Sequence, residues 1–248
     1  MGEYIMANGV RTYFERRGSG ETLLLLHGGV GTVESLSGLT EGLARWFEVV
    51  VPERRWHGRT ACVGTELTYE VMAEDTIAFM DNLGVNRSHL VGHSDGANVA
   101  ALVAIRRPDL ARTVVMIGGN FSTDYLSNEV RESQRGLTPE DARRAFPEVM
   151  DLYFAVTPDA EMRFPVLLRM LGEMHASDWS IPRSELNRMD TRTLIVSGDR
   201  DIIPLSHTLE MYKSIRNAEL WVIPGTGHDS PRTQPELVSS AIKRFVMS

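Results

Sequence analysis

Short apolar runs alternate with amphipathic stretches along most of this chain. Residues 22–26, 47–51, 89–91, 113–117, 193–196 and 220–223 are largely apolar. Runs of this length fit strands covered on both faces. Between them, residues 35–46, 70–83, 97–107, 206–215 and 235–247 carry apolar positions at helical spacing. Residues 3–17 predict a hairpin, because Asn8-Gly9 supplies a φ > 0 turn between β-rich flanks. Strands alternating with helices specify an α/β fold: a mostly parallel central sheet flanked by helices on both faces. The alternation fails once. Residues 123–190 hold no strand pattern, are rich in Met, Phe and Arg, and carry helix-start prolines at Pro139 and Pro147. This stretch is expected to be an inserted helical cap over the strand ends, where open α/β sheets place their ligands. The expected division is a core of residues 1–122 and 191–248, with the cap at 123–190.

Composition narrows the partners. A chain of 248 residues with 42% hydrophobic content can bury one large core. A formal net charge of -7 leaves no basic face for phosphate backbones, so nucleic acid is not an expected partner. Cys62 is the single cysteine, so neither an internal disulfide nor a cysteine-histidine zinc site is expected. The cytoplasm is the expected compartment. No apolar run approaches the ~20 residues needed to span a bilayer, and no membrane partner is expected. Composition leaves the oligomeric state open.

Chemistry enters at Gly92-His93-Ser94-Asp95-Gly96, a Gly-x-Ser-x-Gly nucleophile elbow. A sharp strand-to-helix turn holds the serine in a strained conformation, and side chains two positions either side would collide. The context fits. A mainly apolar strand runs into the motif, and the small residues Ala97, Ala100 and Ala101 follow it, allowing a helix to pack close to the sheet. Near the start of the chain, His27-Gly28-Gly29 follows another buried strand.

With these landmarks the chain resembles the α/β-hydrolase superfamily over nearly its whole length. The similarity is to the capped branch of esterases, lactonases, cofactor-free haloperoxidase-like enzymes and carbon–carbon bond hydrolases. The Ser-Asp-Gly form of the elbow also resembles valacyclovir-hydrolase-like proteins. The resemblance implies the α/β-hydrolase fold and a Ser-His-Asp triad with Ser94 as nucleophile, needing no cofactor and no metal. It assigns the base to His228, in the Gly225-Thr226-Gly227-His228 loop after the last strand. The acid lies in Ser197-Gly198-Asp199-Arg200-Asp201. The family's glycine register selects Asp201, whereas Pro204 stands one residue closer than the family spacing and leaves Asp199 open. The resemblance places the oxyanion-hole amides at Gly29 and at Asp95, the residue after the nucleophile.

Several residues carry two meanings. Glu53-Arg54-Arg55-Trp56-His57-Gly58-Arg59-Thr60 resembles the family's Asp-x-Arg-Gly-x-Gly-x-Ser loop, with Trp56 in place of a glycine. Trp56 either projects into a substrate cavity or covers the sheet edge. Met174 and Trp179 in the cap either line an apolar pocket or pack its core. Asp95 is either an acid complementing a helix N-terminus or the counter-ion of a cationic substrate. The expected function is hydrolysis of a small carboxylic ester, lactone or related acyl substrate. Carbon–carbon hydrolysis, a non-hydrolytic biosynthetic reaction, and a ligand-binding receptor that retains the triad are the alternatives on this fold.

Overall fold

A computed structural model describes residues 2–248. The chain opens with the expected hairpin, β1 (Glu3–Ala7) and β2 (Val10–Arg17), turning at Asn8 and Gly9, both at positive φ. The remaining strands are β3 (Thr22–Leu26), β4 (Glu48–Pro52), β5 (Ser88–His93), β6 (Ala111–Ile117), β7 (Thr193–Gly198) and β8 (Ala218–Ile223). They form one eight-stranded sheet in the order β1-β2-β4-β3-β5-β6-β7-β8. β1, β2 and β4 pair antiparallel; every pairing from β4 through β8 is parallel.

Alternate residues of each strand feed two apolar layers. Leu24, Leu26, Leu90, Val114 and Met116 face one side. On that side pack α2 (Tyr69–Leu83) and α3 (Asp95–Arg106). Leu23, Leu25, Val91, Val115 and Ile117 face the other side, against α1 (Ser37–Leu43). The helix expected over 35–46 is shorter than the pattern implied. A 3-10 turn, Glu34–Leu36, precedes α1, and the chain leaves the helix at Ala44 to bury Phe47.

Between β6 and β7 come five helices: α4 (Asn128–Arg135), α5 (Pro139–Ala145), α6 (Pro147–Val156), α7 (Ala160–Ala176) and α8 (Arg183–Arg188). Pro139 and Pro147 sit in the first turns of α5 and α6, where a missing N–H costs nothing. Thr138 and Asp141 close a capping box on α5. An isolated antiparallel bridge, Ser122 to Ser180, ties the two ends of this helical insertion together. The chain then completes the sheet with β7 and β8, joined by α9 (Leu205–Ser214), and ends in α10 (Ser230–Thr233) and α11 (Pro235–Val246). Among the described residues no helix is long and apolar enough to cross a membrane.

Candidate active site

Ser94 stands between β5 and α3 at φ 53 and ψ -123, a conformation that a non-glycine residue adopts only under constraint. The constraint is local crowding. A Cβ on Gly92 would lie 2.1 Å from the Gly96 carbonyl oxygen, and one on Gly96 would lie 2.3 Å from that of Leu26. The motif glycines let strand, turn and helix close on each other and force the serine outward.

The ends of β7 and β8 bring two further residues to it. His228 Nε2 is 2.9 Å from Ser94 Oγ, and His228 Nδ1 is 2.7 Å from Asp201 Oδ1. Asp201 Oδ1 also accepts the Ile203 amide at 3.0 Å. Burial pushes the Asp201 carboxyl up, but the hydrogen bond and charge of His228 outweigh it and hold the carboxyl below its ordinary value. Asp199 is exposed and accepts the Thr226 amide at 3.2 Å, so it braces the histidine loop through backbone. His93 adds a second brace, its Nε2 lying 3.0 Å from the His228 carbonyl oxygen. Burial, then the neighbouring His228, pushes the His93 imidazole down to about 4. It is therefore neutral near neutral pH and donates that hydrogen bond.

The His27-Gly28-Gly29 loop packs against this turn: a Cβ on Gly28 would lie 3.1 Å from Ser94 Cβ, and one on Gly29 would lie 2.9 Å from Asp95 Oδ2. Among the described residues the N–H groups of Gly29 and Asp95 donate to no protein acceptor. Two free amides beside a nucleophile can receive a developing oxyanion.

The Asp95 side chain stands in the first turn of α3 and also has partners within the protein that neither of its two sequence readings names. Its carboxylate accepts the Tyr69 hydroxyl at 2.8 Å and meets His175 Nε2 at 3.0 and 3.2 Å. Tyr69 opens α2 and His175 closes α7, so one buried carboxylate links the sheet domain to the helical insertion. Burial raises the Asp95 carboxyl, but His175, Arg54 and Tyr69 together hold it far below the usual range. Burial lowers the His175 imidazole, and the charge and hydrogen bond of Asp95 reverse this, leaving it raised.

A model of the Alpha/beta hydrolase family matches residues 23–241. The chain belongs to the alpha/beta hydrolase family. It is 26% identical over 275 aligned positions to the 2-hydroxymuconate semialdehyde hydrolase of Pseudomonas putida, covering 99% of this chain and 94% of that one. A thermophilic esterase from Thermogutta terrifontis superposes with a TM-score of 0.79 at 25% identity, covering 100% of this chain and 98% of that one. The enol-lactonase from Burkholderia xenovorans LB400 shares the fold, with a TM-score of 0.81 at 18% identity and coverage of 99% and 100%.

The hydrolase places the remaining candidate residues in packed surroundings. Trp56 has φ 68, the left-handed conformation a glycine would adopt freely. Its indole N–H reaches the Gly64 carbonyl at 3.1 Å and the Val63 carbonyl at 3.3 Å, so the ring's polar edge is bound to its own loop. Met174 and Trp179 are buried in the larger apolar cluster. The Trp179 ring centroid lies 4.2 Å from that of Tyr69, and its N–H donates to Glu70 at 2.9 Å. Among the described residues no group of three or more His, Cys, Asp or Glu side chains is placed to hold a metal ion.

Tyr69, His175, Tyr125 and Arg54 were not singled out as site residues on sequence grounds. Burial, then the charges of Asp95 and Asp201, pushes the Tyr125 phenol up to about 12, so it keeps its proton. The only local signal among these was Arg54, which lies in the family-like loop.

Proposed function

We propose that this hydrolase cleaves a small carboxylic ester, lactone or related acyl substrate with Ser94 as nucleophile, His228 as general base and acid, and Asp201 as the acid of the triad. The observation carrying this is the single imidazole bridging Ser94 Oγ and Asp201 Oδ1. Ser94 Oγ attacks the carbonyl carbon while His228 Nε2 takes its proton. Asp201 stabilises the resulting imidazolium, a large effect because its side chain is only 2% exposed. The Gly29 and Asp95 amides hold the oxyanion of the tetrahedral intermediate. Its collapse passes the proton to the leaving oxygen and leaves an acyl group on Ser94. Water, deprotonated by His228, then releases the acid.

Residues 123–190 form the cap in this reading, and residues 1–122 with 191–248 form the core. Met174, Trp179 and Trp56 would shape the acyl pocket by their packing. The similarity to a 2-hydroxymuconate semialdehyde hydrolase supports carbon–carbon hydrolysis as a second reading, since the same triad serves both reactions.

The test is labelling by a fluorophosphonate, with the adduct located by mass spectrometry, alongside a mixed pool of esters, lactones and carbon–carbon hydrolase substrates. An adduct on Ser94 and turnover of an ester or lactone are expected. An adduct confined to another serine would refute the triad, and binding without turnover would favour the receptor alternative.

A further inference from the structure

We infer that Arg54 is a positioning residue that strengthens the oxyanion hole through the Gly28–Gly29 peptide. The inference rests on the proposed role of Gly29. The Gly28 carbonyl and the Gly29 N–H are the two ends of one amide. Whatever polarises that carbonyl makes the N–H a stronger donor, because hydrogen bonds in series reinforce one another.

Three donors converge on the Gly28 oxygen: Arg54 Nη2 at 2.6 Å, His27 Nδ1 at 2.8 Å and the Gly31 amide at 3.1 Å. The tautomer of His27 follows from its other nitrogen. His27 Nε2 accepts the Arg54 backbone N–H at 3.1 Å, so Nε2 carries no proton and Nδ1 does. Burial and the Arg54 charge both push the His27 imidazole well down, so the ring is neutral. Arg54 Nη2 and His27 Nδ1 also lie 3.1 Å apart. With both protonated, that contact is two donors aimed at one oxygen.

A neutral donor would have sufficed to hold the loop, and His27 already supplies one. The chain nevertheless buries a full charge here. Arg54 is only 4% exposed, and its Nε and Nη1 have no hydrogen-bond partner among the described residues. Its charge is felt by Asp95, but the two make no ion pair. A buried guanidinium so lightly compensated is costly. Its cost falls when negative charge develops across the Gly28–Gly29 peptide, which is the condition for stabilising a transition state more than a ground state.

The test uses Arg54→Gln, which keeps a neutral N–H donor, and Arg54→Lys, which keeps the charge; Arg54→Met is a second neutral arm should the glutamine variant fail to fold. Each is assayed with p-nitrophenyl acetate and with a trifluoromethyl ketone labelled with carbon-13 at the carbonyl. The ketone's Ser94 hemiketal reports oxyanion ionisation by NMR. Loss of the charge is expected to lower kcat about tenfold with KM within about twofold, a fraction of the loss from deleting a direct oxyanion donor. The ketone should bind more weakly by a similar factor, and its hemiketal should ionise about one pH unit higher. Arg54→Lys should recover most of both. Unchanged ketone affinity and ionisation in a folded neutral variant would reduce Arg54 to a loop brace, as would full activity in Arg54→Gln with loss in Arg54→Lys. A wild-type hemiketal that ionises no more readily than the free hydrate would also overturn the inference. Absence of any Ser94 adduct in the wild type would instead sink the serine-hydrolase reading itself.

Discussion

The ion pair between Asp95 and His175 makes a quantitative demand on stability. In His175→Gln the side chain can still donate one hydrogen bond to Asp95, but the positive charge is gone. The carboxylate is 6% exposed and the imidazole 30% exposed. Breaking a fully buried pair costs about 3–5 kcal/mol, whereas exposed pairs contribute about 0.2–1 kcal/mol. Partial screening of the imidazole and the retained hydrogen bond place the expected loss at about 1–2 kcal/mol below neutral pH. For a chain of this size that lowers Tm by roughly 2–8 °C.

The pH dependence fixes the cause. The folded His175 imidazole is raised, so its contribution is fully present below the ordinary histidine value and is lost as pH rises through the folded value. The folded Asp95 carboxyl is depressed, so its contribution is present above the ordinary carboxyl value and is lost only in strong acid. The pair therefore acts fully between about pH 4 and pH 6.5 and fades on the alkaline side. Urea unfolding of wild type and His175→Gln at about pH 5.5, 7 and 9 measures the difference directly. Every other titrating group is common to both proteins and cancels to first order. A deficit equal at the acid and alkaline ends would refute an ionic latch and leave only packing.

Further outcomes follow from the same geometry. Asp201→Asn should lower kcat by up to ~10⁴, since an acid that orients the base and stabilises its charge is worth that much, whereas Asp199→Asn should keep most activity because its partner is the Thr226 amide; steady-state kinetics of the two variants decides. The contribution of His57, pushed down to about 3, and His93, pushed down to about 4, should weaken the fold as pH drops below about 6.5, because the unfolded chain binds protons these folded rings refuse. Each contributes up to about 1.4 kcal/mol per pH unit, and pH-dependent urea unfolding of wild type and His57→Gln checks the slope. Trp179→Phe removes the bond to Glu70 while keeping a ring against Tyr69. It should lower Tm, with kcat/KM ratios between short and bulky esters changed by less than tenfold, about 1.4 kcal/mol.

Much of this was legible because it is local. Asn8-Gly9 specified its hairpin, the apolar runs marked the strands, and the elbow glycines marked the steric problem that Ser94 solves. The triad candidates sit immediately beyond three strand ends, so an element order that could be read from periodicity also ordered Ser94, Asp201 and His228. Of the two aspartates that the sequence left open, Asp201 is the one within hydrogen-bonding distance of His228. What escaped is what depends on the approach of distant segments. His175 is 80 residues from Asp95, and nothing in the α7 pattern distinguishes its imidazole from a solvent-facing one. Asp95 reads from sequence as a helix-terminus acid or a substrate counter-ion, because its partners Tyr69 and His175 arrive from α2 and α7. α10 is four residues long, too short to show a helical period. Gly118 carries no local signal either, because a glycine after a strand usually marks an ordinary turn.

That glycine supports the last prediction. Gly118 follows β6 at φ +59, and its backbone N–H is fixed to the Val196 carbonyl at 2.9 Å. A Cβ there would lie 2.9 Å from both Cε1 and Nδ1 of His228, and 3.3 Å from Asp201 Oδ2. The strand cannot retreat without breaking its bond to β7, so in Gly118→Ala the imidazole must move. Its two hydrogen bonds, at 2.7 and 2.9 Å, cannot both survive displacement by several tenths of an ångström. A misplacement of about 1 Å can cost about a hundredfold in rate, and a loss of kcat of that order is expected. The positive φ adds a stability penalty of about 1–3 kcal/mol. Fluorophosphonate labelling of Ser94 should slow in parallel with kcat, because both need His228 to take the serine proton, while KM changes little. A folded Gly118→Ala variant that labels and turns over at the wild-type rate would show that the imidazole has room to spare, and that the close packing beneath it does not set the geometry of the site.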